Sequence, residues 1–145
     1  MRFIPLRIVA KDMTISHHAD CLIVGAGIAG LVAARTLQNR GVRALVLDKG
    51  RGVGGRLATR NFEGGRFDYG AQFFTARNPA FRGLVEEWMA AGVVAPWSEG
   101  FFLPDGRFKD TGEVHYRGVG GMRTIATHLA LNLDVRSWVS MRAMH

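Results

Sequence analysis

A glycine-rich turn at residues 25–30 constrains the fold of this chain more than any other feature. The turn reads Gly25-Ala26-Gly27-Ile28-Ala29-Gly30 and directly follows Asp20 to Val24, a short apolar run typical of a strand buried on both faces of a parallel sheet. Apolar residues then recur at helical spacing, and a second apolar run, Arg43 to Leu47, ends in Asp48. The pattern predicts strand, turn, helix and strand, the first half of a dinucleotide-binding fold.

Each glycine of the turn has a role in binding a pyrophosphate. Gly25 permits a tight turn out of the strand, Gly27 leaves the approach to the backbone open, and Gly30 lets the helix pack closely on the sheet. The phosphates would meet backbone amides at the positive end of the helix that starts near Ile28. Asp48 is placed to accept hydrogen bonds from the adenosine ribose. A lone GxGxxG is weak evidence, but strand, glycines, helix and acid in register favour nucleotide binding over an ordinary glycine turn.

The segment after the second strand separates NAD from FAD as the cofactor. It reads Arg51-Gly52-Val53-Gly54-Gly55-Arg56 and resembles the extended fingerprint of the flavin amine oxidase superfamily. The resemblance implies that the backbone of this loop and the Arg56 guanidinium reach the FAD pyrophosphate. The alternative interpretation is a flexible loop with a solvated arginine.

The resemblance extends through Phe67-Asp68-Tyr69-Gly70-Ala71-Gln72-Phe73-Phe74, which is similar to the segment passing the flavin ring in renalase-like FAD oxidoreductases. It implies an α/β fold, a Rossmann-like FAD-binding unit with the start of an inserted α+β substrate domain. It also implies a flavin that accepts hydride from an amine or a dihydronicotinamide, with no catalytic residue assigned. The expected cofactor-binding residues are Gly25, Ala26, Gly27, Ile28, Ala29, Gly30, Asp48, Lys49, Arg51, Gly54, Gly55 and Arg56 for the dinucleotide, and Gly70, Ala71, Gln72 and Phe73 near the ring.

The expected domain organisation has three parts. Residues 1–18 would be a flexible extension, 19–77 the FAD-binding unit and 78–145 a partial substrate domain, truncated because family members are longer and return to complete the nucleotide-binding sheet. The elements predicted after residue 57 are a hairpin of Ala58–Phe62 with Arg66–Tyr69, a helix at Pro79–Ala91 capped by Asn78, a hairpin within Trp97–Phe108, a helix at Met122–Leu133 and a strand at Asp134–Val139.

Composition and charge limit the partners of the chain. The net charge of +7 comes mainly from dispersed arginines, and without a basic run interleaved with aromatics this favours an anionic small molecule over nucleic acid. No uncharged apolar run is long enough to span a membrane, and the single cysteine, Cys21, fits a cytoplasmic compartment. The sequence sets no oligomeric state.

Other candidate chemistry is sparse. The adjacent His17 and His18 lack further ligands in register, so no metal site is predicted. His115 and His128 are expected to be structural or solvated. Two further functions stay open: an NAD-dependent dehydrogenase domain, against which Gly54-Gly55-Arg56 argues, and a non-catalytic nucleotide-binding remnant.

Overall fold

Three small β-sheets and three α-helices organise residues 19–139, the part of the chain that the computed structural model describes. The predicted extension at 1–18 and the last residues, 140–145, lie outside this range. The elements are β1 (Cys21–Val24), α1 (Ile28–Gln38), β2 (Ala44–Leu47), β3 (Thr59–Phe62), β4 (Gly65–Asp68), β5 (Phe74–Thr75), α2 (Pro79–Ala90), β6 (Val94–Phe102), β7 (Phe108–Gly118), α3 (Arg123–Leu129) and β8 (Asp134–Arg136), with a 3₁₀ turn at Gly55–Leu57. In these residues no helix is long and apolar enough to cross a membrane.

A parallel sheet of strand order β1-β2-β8 carries the glycine turn. Cys21 pairs with Ala44 in β1 and β2, and Leu45 pairs with Asp134 in β2 and β8. Leu45, Val46 and Leu47 of the central strand are buried, whereas Val24 is 68% exposed. The prediction that the first strand is buried on both faces is therefore wrong, because β1 lies at the sheet edge and its last residue is exposed.

The two predicted hairpins form, because their turns contain residues suited to left-handed backbone. In the β3–β4 hairpin Glu63 and Gly64 have φ of 46° and 77°, the positive values that a two-residue hairpin turn requires. The second hairpin joins β6 to β7 and is longer than predicted, since β6 begins at Val94. β5 pairs with β7 at the other side and completes an antiparallel sheet of order β5-β7-β6.

Helix α2 begins where the sequence predicts, with Asn78 as its cap. The Asn78 side-chain oxygen accepts hydrogen bonds from the backbone N–H of Ala80 and Phe81, at 2.9 and 3.3 Å. Val85 and Trp88 of this helix are buried in the core cluster. The helix thus contributes to the core.

The C-terminal part of the described chain differs from the prediction. The helix expected at 122–133 ends at Leu129, with Asn132 at a φ of 61°, and the strand expected at 134–139 ends at Arg136. β8 pairs with β2, so residues 134–136 lie in the same sheet as β1. The parallel sheet therefore has three strands.

One core connects the glycine turn to the antiparallel sheet. Ala26, Leu31 and Val46 belong to the same buried cluster as Trp88 and Ile125. Helix α3 packs on α1, and the Arg35 guanidinium donates to the carbonyls of His128 and Leu129 at 3.2 and 3.0 Å. The glycine turn is consequently supported by residues far along the chain.

Candidate functional site

The Gly25–Gly30 turn is held tightly against the start of α1. Gly25 has a φ of 104°, a conformation that L side chains rarely adopt, and its N–H donates to the Leu47 carbonyl at 2.7 Å. A Cβ built on Gly30 would lie 2.0 Å from the Gly25 carbonyl oxygen. This contact fixes how closely the first turn of α1 approaches β1.

The position of Gly27 leaves the turn open towards solvent. Gly27 immediately precedes α1 with φ −75° and ψ 175°, and a Cβ built on it would meet no heavy atom within 4 Å. Ile28 and Ala29, the first helical residues, are exposed. Their N–H groups lie at the positive end of the helix dipole, where an anion is stabilised.

The Asp48 carboxylate ties two loops together. One oxygen accepts a hydrogen bond from the Ala26 N–H at 2.6 Å, and the other accepts from the Gly50 N–H at 2.6 Å. Since each carboxylate oxygen has two lone pairs, both retain capacity for a further donor such as a hydroxyl. Asp48 therefore positions the glycine turn and can still bind a ligand.

The second glycine segment packs directly on the first. The Gly54 N–H donates to the Ala26 carbonyl at 2.9 Å, and Gly27 and Gly54 form an isolated parallel β-bridge. A Cβ on Gly55 would lie 3.3 Å from the Gly27 Cα, and Gly55 has a φ of 52°. The two loops are separated in the sequence but adjacent in the fold, and together they form one continuous backbone surface.

A cleft of about 790 Å³ opens beside these loops. It contains three cationic side chains, Lys49, Arg51 and Arg123, and one acidic side chain, Asp48. The Arg51 guanidinium lies 5.4 Å from the centre of the Trp138 ring, a cation–π distance. The residues that line the cleft are Val24, Gly25, Leu47, Asp48, Lys49, Gly50, Arg51, Gly52, Val53, Gly55, Ala58, Thr59, Tyr69, Arg123 and Val139.

The remaining predicted site residues lie outside this cleft. Gln72 lines a second pocket of about 710 Å³ together with Trp97 and Arg117. The Arg56 side chain is exposed and lines neither cavity, but its backbone carbonyl accepts a hydrogen bond from the Ala71 N–H at 2.8 Å. The segment expected near the flavin ring is thus connected by backbone to the second glycine loop, which borders the cleft.

Close backbone approach explains Gly70 as well. A Cβ on Gly70 would lie 2.0 Å from the Arg56 carbonyl oxygen, so a larger residue would push the 70–73 segment away from the glycine loop. Phe73, further along, packs its ring edge-on against His115 with centroids 4.8 Å apart. His115 is buried and its Nδ1 lies 3.0 Å from the Ser98 carbonyl oxygen, which is a structural contact and one of the two roles that the sequence left open.

Sequence reasoning missed several residues of the cleft. Thr59 and Tyr69 reach it from the ends of the β3–β4 hairpin, and Val139 reaches it after β8. Val139 is held by a 3.0 Å hydrogen bond from its N–H to the Asp48 carbonyl. Arg123 enters from the start of α3, and the only signal for it in the sequence is a basic residue after the Gly120-Gly121 pair.

Comparison with known proteins identifies the first part of the fold. Residues 23–88 match the family model described as NAD(P)-binding Rossmann-like domain. This part of the chain has a mixed α/β, Rossmann-like fold. The Rossmann-like unit contains both glycine loops, Asp48 and the 70–73 segment.

Curated relatives share this region and are much longer. Tryptophan 2-monooxygenase from Pseudomonas savastanoi is 40% identical over 98 residues, 66% of this chain and 17% of that protein. Putrescine oxidase from Kocuria rosea is 34% identical over 90 residues, 60% and 19% respectively. Lysine-specific histone demethylase 1 homolog 1 from Arabidopsis thaliana is 54% identical over 46 residues, which are 32% of this chain and 6% of that protein. The chain therefore spans less than a fifth of the length of each.

A solved structure of putrescine oxidase, wild type bound to putrescine, is also similar to this chain. It is 28% identical, with a TM-score of 0.46, and the match covers 63% of this chain and 21% of that one.

Proposed function

We propose that this chain forms the dinucleotide-binding part of an FAD-dependent oxidoreductase of the amine oxidase type, renalase-like in its 67–74 segment. The observation that carries the proposal is the packing of the second glycine loop on the first, with the Gly54 N–H bonded to the Ala26 carbonyl. The relatives named above support an oxidoreductase, since two of them are by name an oxidase and a monooxygenase.

The residues present fit an adenine dinucleotide. Open space in front of Gly27 admits a pyrophosphate to the first turn of α1, where the first backbone N–H groups have no acceptor within the helix. Asp48 retains lone pairs for ribose hydroxyls, and the cations of the cleft offset phosphate charge. The cleft volume of about 790 Å³ is within the range of small-molecule sites.

FAD, when bound, supplies a flavin ring that accepts a hydride from an amine or dihydronicotinamide substrate. The chain's own contribution is to hold the dinucleotide half and direct the ring towards the 70–73 segment. Ala71 is bonded to Arg56, and Gln72 faces the second pocket. We assign that pocket to the ring or the substrate.

The competing proposal is a nicotinamide-binding domain, which the description of the matched family model would equally suit. The two differ in what the Gly52–Arg56 loop does, since FAD binding gives that loop a ligand contact. A panel of nucleotides therefore separates them.

The test is thermal unfolding of the full chain with FAD, FMN, NADH or NADPH added singly. Binding at one hundred times Kd stabilises a protein by about 2.7 kcal/mol, which is readily seen as a raised melting temperature. We expect FAD to raise it and FMN, which lacks the adenosine, to leave it unchanged. Stabilisation by NADH or NADPH to the same extent as by FAD would favour the competing proposal, and no response to any dinucleotide would remove both.

A Gly27→Val variant tests whether the stabilisation by FAD comes from binding at the glycine turn. Valine accepts the extended backbone of this position, and its Cβ meets no protein atom within 4 Å, so the fold should be kept. The side chain would, however, occupy the approach of the pyrophosphate. We expect FAD to lose its stabilising effect on this variant while the melting temperature without ligand stays close to that of the parent.

A further inference from the structure

Arg123 extends from the first residue of α3 across the second glycine loop. Its Nη2 lies 2.3 Å from where a Cβ on Gly52 would be, and its Cγ lies 3.5 Å from the corresponding position on Gly54. The guanidinium therefore occupies the space that a side chain at residue 52 would fill. The absence of a side chain on Gly52 is what admits an arginine from a distant helix into the cleft.

The backbone of Arg123 is fixed by the β3–β4 hairpin. The Arg123 N–H donates to the Thr59 hydroxyl at 3.0 Å, and the Met122 N–H donates to the Asp68 carboxylate at 2.9 Å. Thr59 and Asp68 are cross-strand partners, and the Thr59 hydroxyl donates to the same carboxylate. A hydrogen-bonded pair of one hairpin thus anchors the residue whose side chain enters the cleft.

The charge of Arg123 is not neutralised by the part of the chain that the structure describes. Within 19–139 the ion pairs join other arginines to carboxylates, namely Arg43 to Asp20, Arg77 to Glu113, Arg107 to Asp105 and Arg136 to Asp134. Asp48, the acid of the cleft, is bonded to backbone amides. A cation held in a ligand cleft beside satisfied protein groups is suited to bind an anion from solution.

We infer that Arg123 is a phosphate-binding residue of the cleft, recognising the diphosphate of the adenine nucleotide. This rests on the proposed function, because the ligand is the same dinucleotide. A guanidinium is planar and can donate two parallel N–H bonds to two oxygens of one phosphate, a geometry that the point-like ammonium of lysine does not offer. The glycine loops supply backbone donors on one side, and Arg123 supplies a charged donor from a different element.

The test compares ADP and adenosine binding to the full chain by isothermal titration calorimetry. We expect Arg123→Gln to weaken ADP binding roughly 10- to 100-fold, the range for loss of a charge-assisted hydrogen bond, and to leave adenosine binding unchanged. Arg123→Lys keeps the charge without the planar guanidinium, so its ADP affinity should lie between those of the parent and of Arg123→Gln. The lysine variant also tests the inference if the glutamine variant does not fold. A lysine variant with the same ADP affinity as the parent would overturn the inference.

Arg82→Gln is the matched control, because Arg82 is exposed on α2 outside the cleft and its loss changes the net charge equally. Its ADP affinity should stay within about twofold of the parent, as expected of a distant screened charge. Equal weakening by both variants, or tighter ADP binding by Arg123→Gln, would show that Arg123 is not a phosphate ligand. If the parent binds ADP and Arg123→Gln binds it equally well, this inference is overturned and the proposed function is not. If the parent binds neither ADP nor FAD, both are overturned.

Discussion

Replacing Gly30 with alanine tests the contact between α1 and the glycine turn. The new Cβ would lie 2.0 Å from the Gly25 carbonyl oxygen, 3.2 Å from its carbonyl carbon and 3.3 Å from the Ile23 Cγ2. Atoms in contact normally lie roughly 3.5 Å apart, so the start of α1 would have to retreat by about 1 Å or more. The obstacle is backbone, which cannot move aside as a flexible side chain can.

The size of the effect follows from two opposing contributions. Overpacking costs about 1–3 kcal/mol, and a backbone clash belongs at the upper end, whereas alanine in place of a helical glycine gains roughly 1 kcal/mol. We therefore expect Gly30→Ala to lower the free energy of unfolding by about 2 kcal/mol, or the melting temperature by roughly 8 °C. Urea and thermal unfolding followed by circular dichroism measure both quantities.

Gly83→Ala supplies the internal control for this prediction. Gly83 is also helical, in α2, and a Cβ on it meets nothing within 4 Å, so the same substitution should stabilise the chain by about 0.5–1 kcal/mol. The difference between the two variants isolates the packing contribution at Gly30. A Gly30→Ala protein as stable as Gly83→Ala would refute the close approach of α1 to the turn.

Three further predictions concern single side chains. Asp48→Ala removes the acceptor of two loop amides and should lower the free energy of unfolding by about 2 kcal/mol in urea titrations; an unchanged midpoint would contradict its bonds to Ala26 and Gly50. Asn78→Ala removes the cap of α2 and should cost about 1 kcal/mol in the same assay, while Asn78→Asp should cost little. The side-chain hydrogen bond from Arg43 lowers the pKa of Asp20 from 3.8 to about 2, so its stabilisation is present above pH 3.8 and is lost as the pH falls towards 2. The melting temperatures of the parent and Asp20→Asn should differ slightly at pH 5 and converge near pH 2, and a constant difference would exclude this linkage.

Local sequence rules predict the first half of this fold well. The glycine turn, the Glu63-Gly64 hairpin turn and the Asn78 cap each depend on residues within a few positions of one another. Conformational preference alone decides such features. The two strands and the start of the helix of the Rossmann-like unit accordingly lie within one or two residues of their predicted positions.

The pairing of β8 with β2 is not predicted from the sequence, because it joins segments that are distant along the chain. β8 is three residues long and two of them are charged, so its pattern does not indicate a sheet interior. The position of Arg123 in the cleft is not predicted for a related reason. Its position is set by the Thr59–Asp68 pair and by the lack of a side chain on Gly52, and neither relation is visible as a spacing in the sequence.

The pairing of β8 with β2 has a consequence for the order of folding during synthesis. The Arg35 guanidinium binds the His128 carbonyl across a separation of 93 positions, and β2 obtains its second neighbour only when residues 134–136 have left the ribosome. Closing so long a loop carries an entropic cost before any contact compensates it. The glycine turn and Asp48 therefore emerge early. The cleft is complete only after α3 and β8 have been synthesised, because Arg123 and Val139 line it.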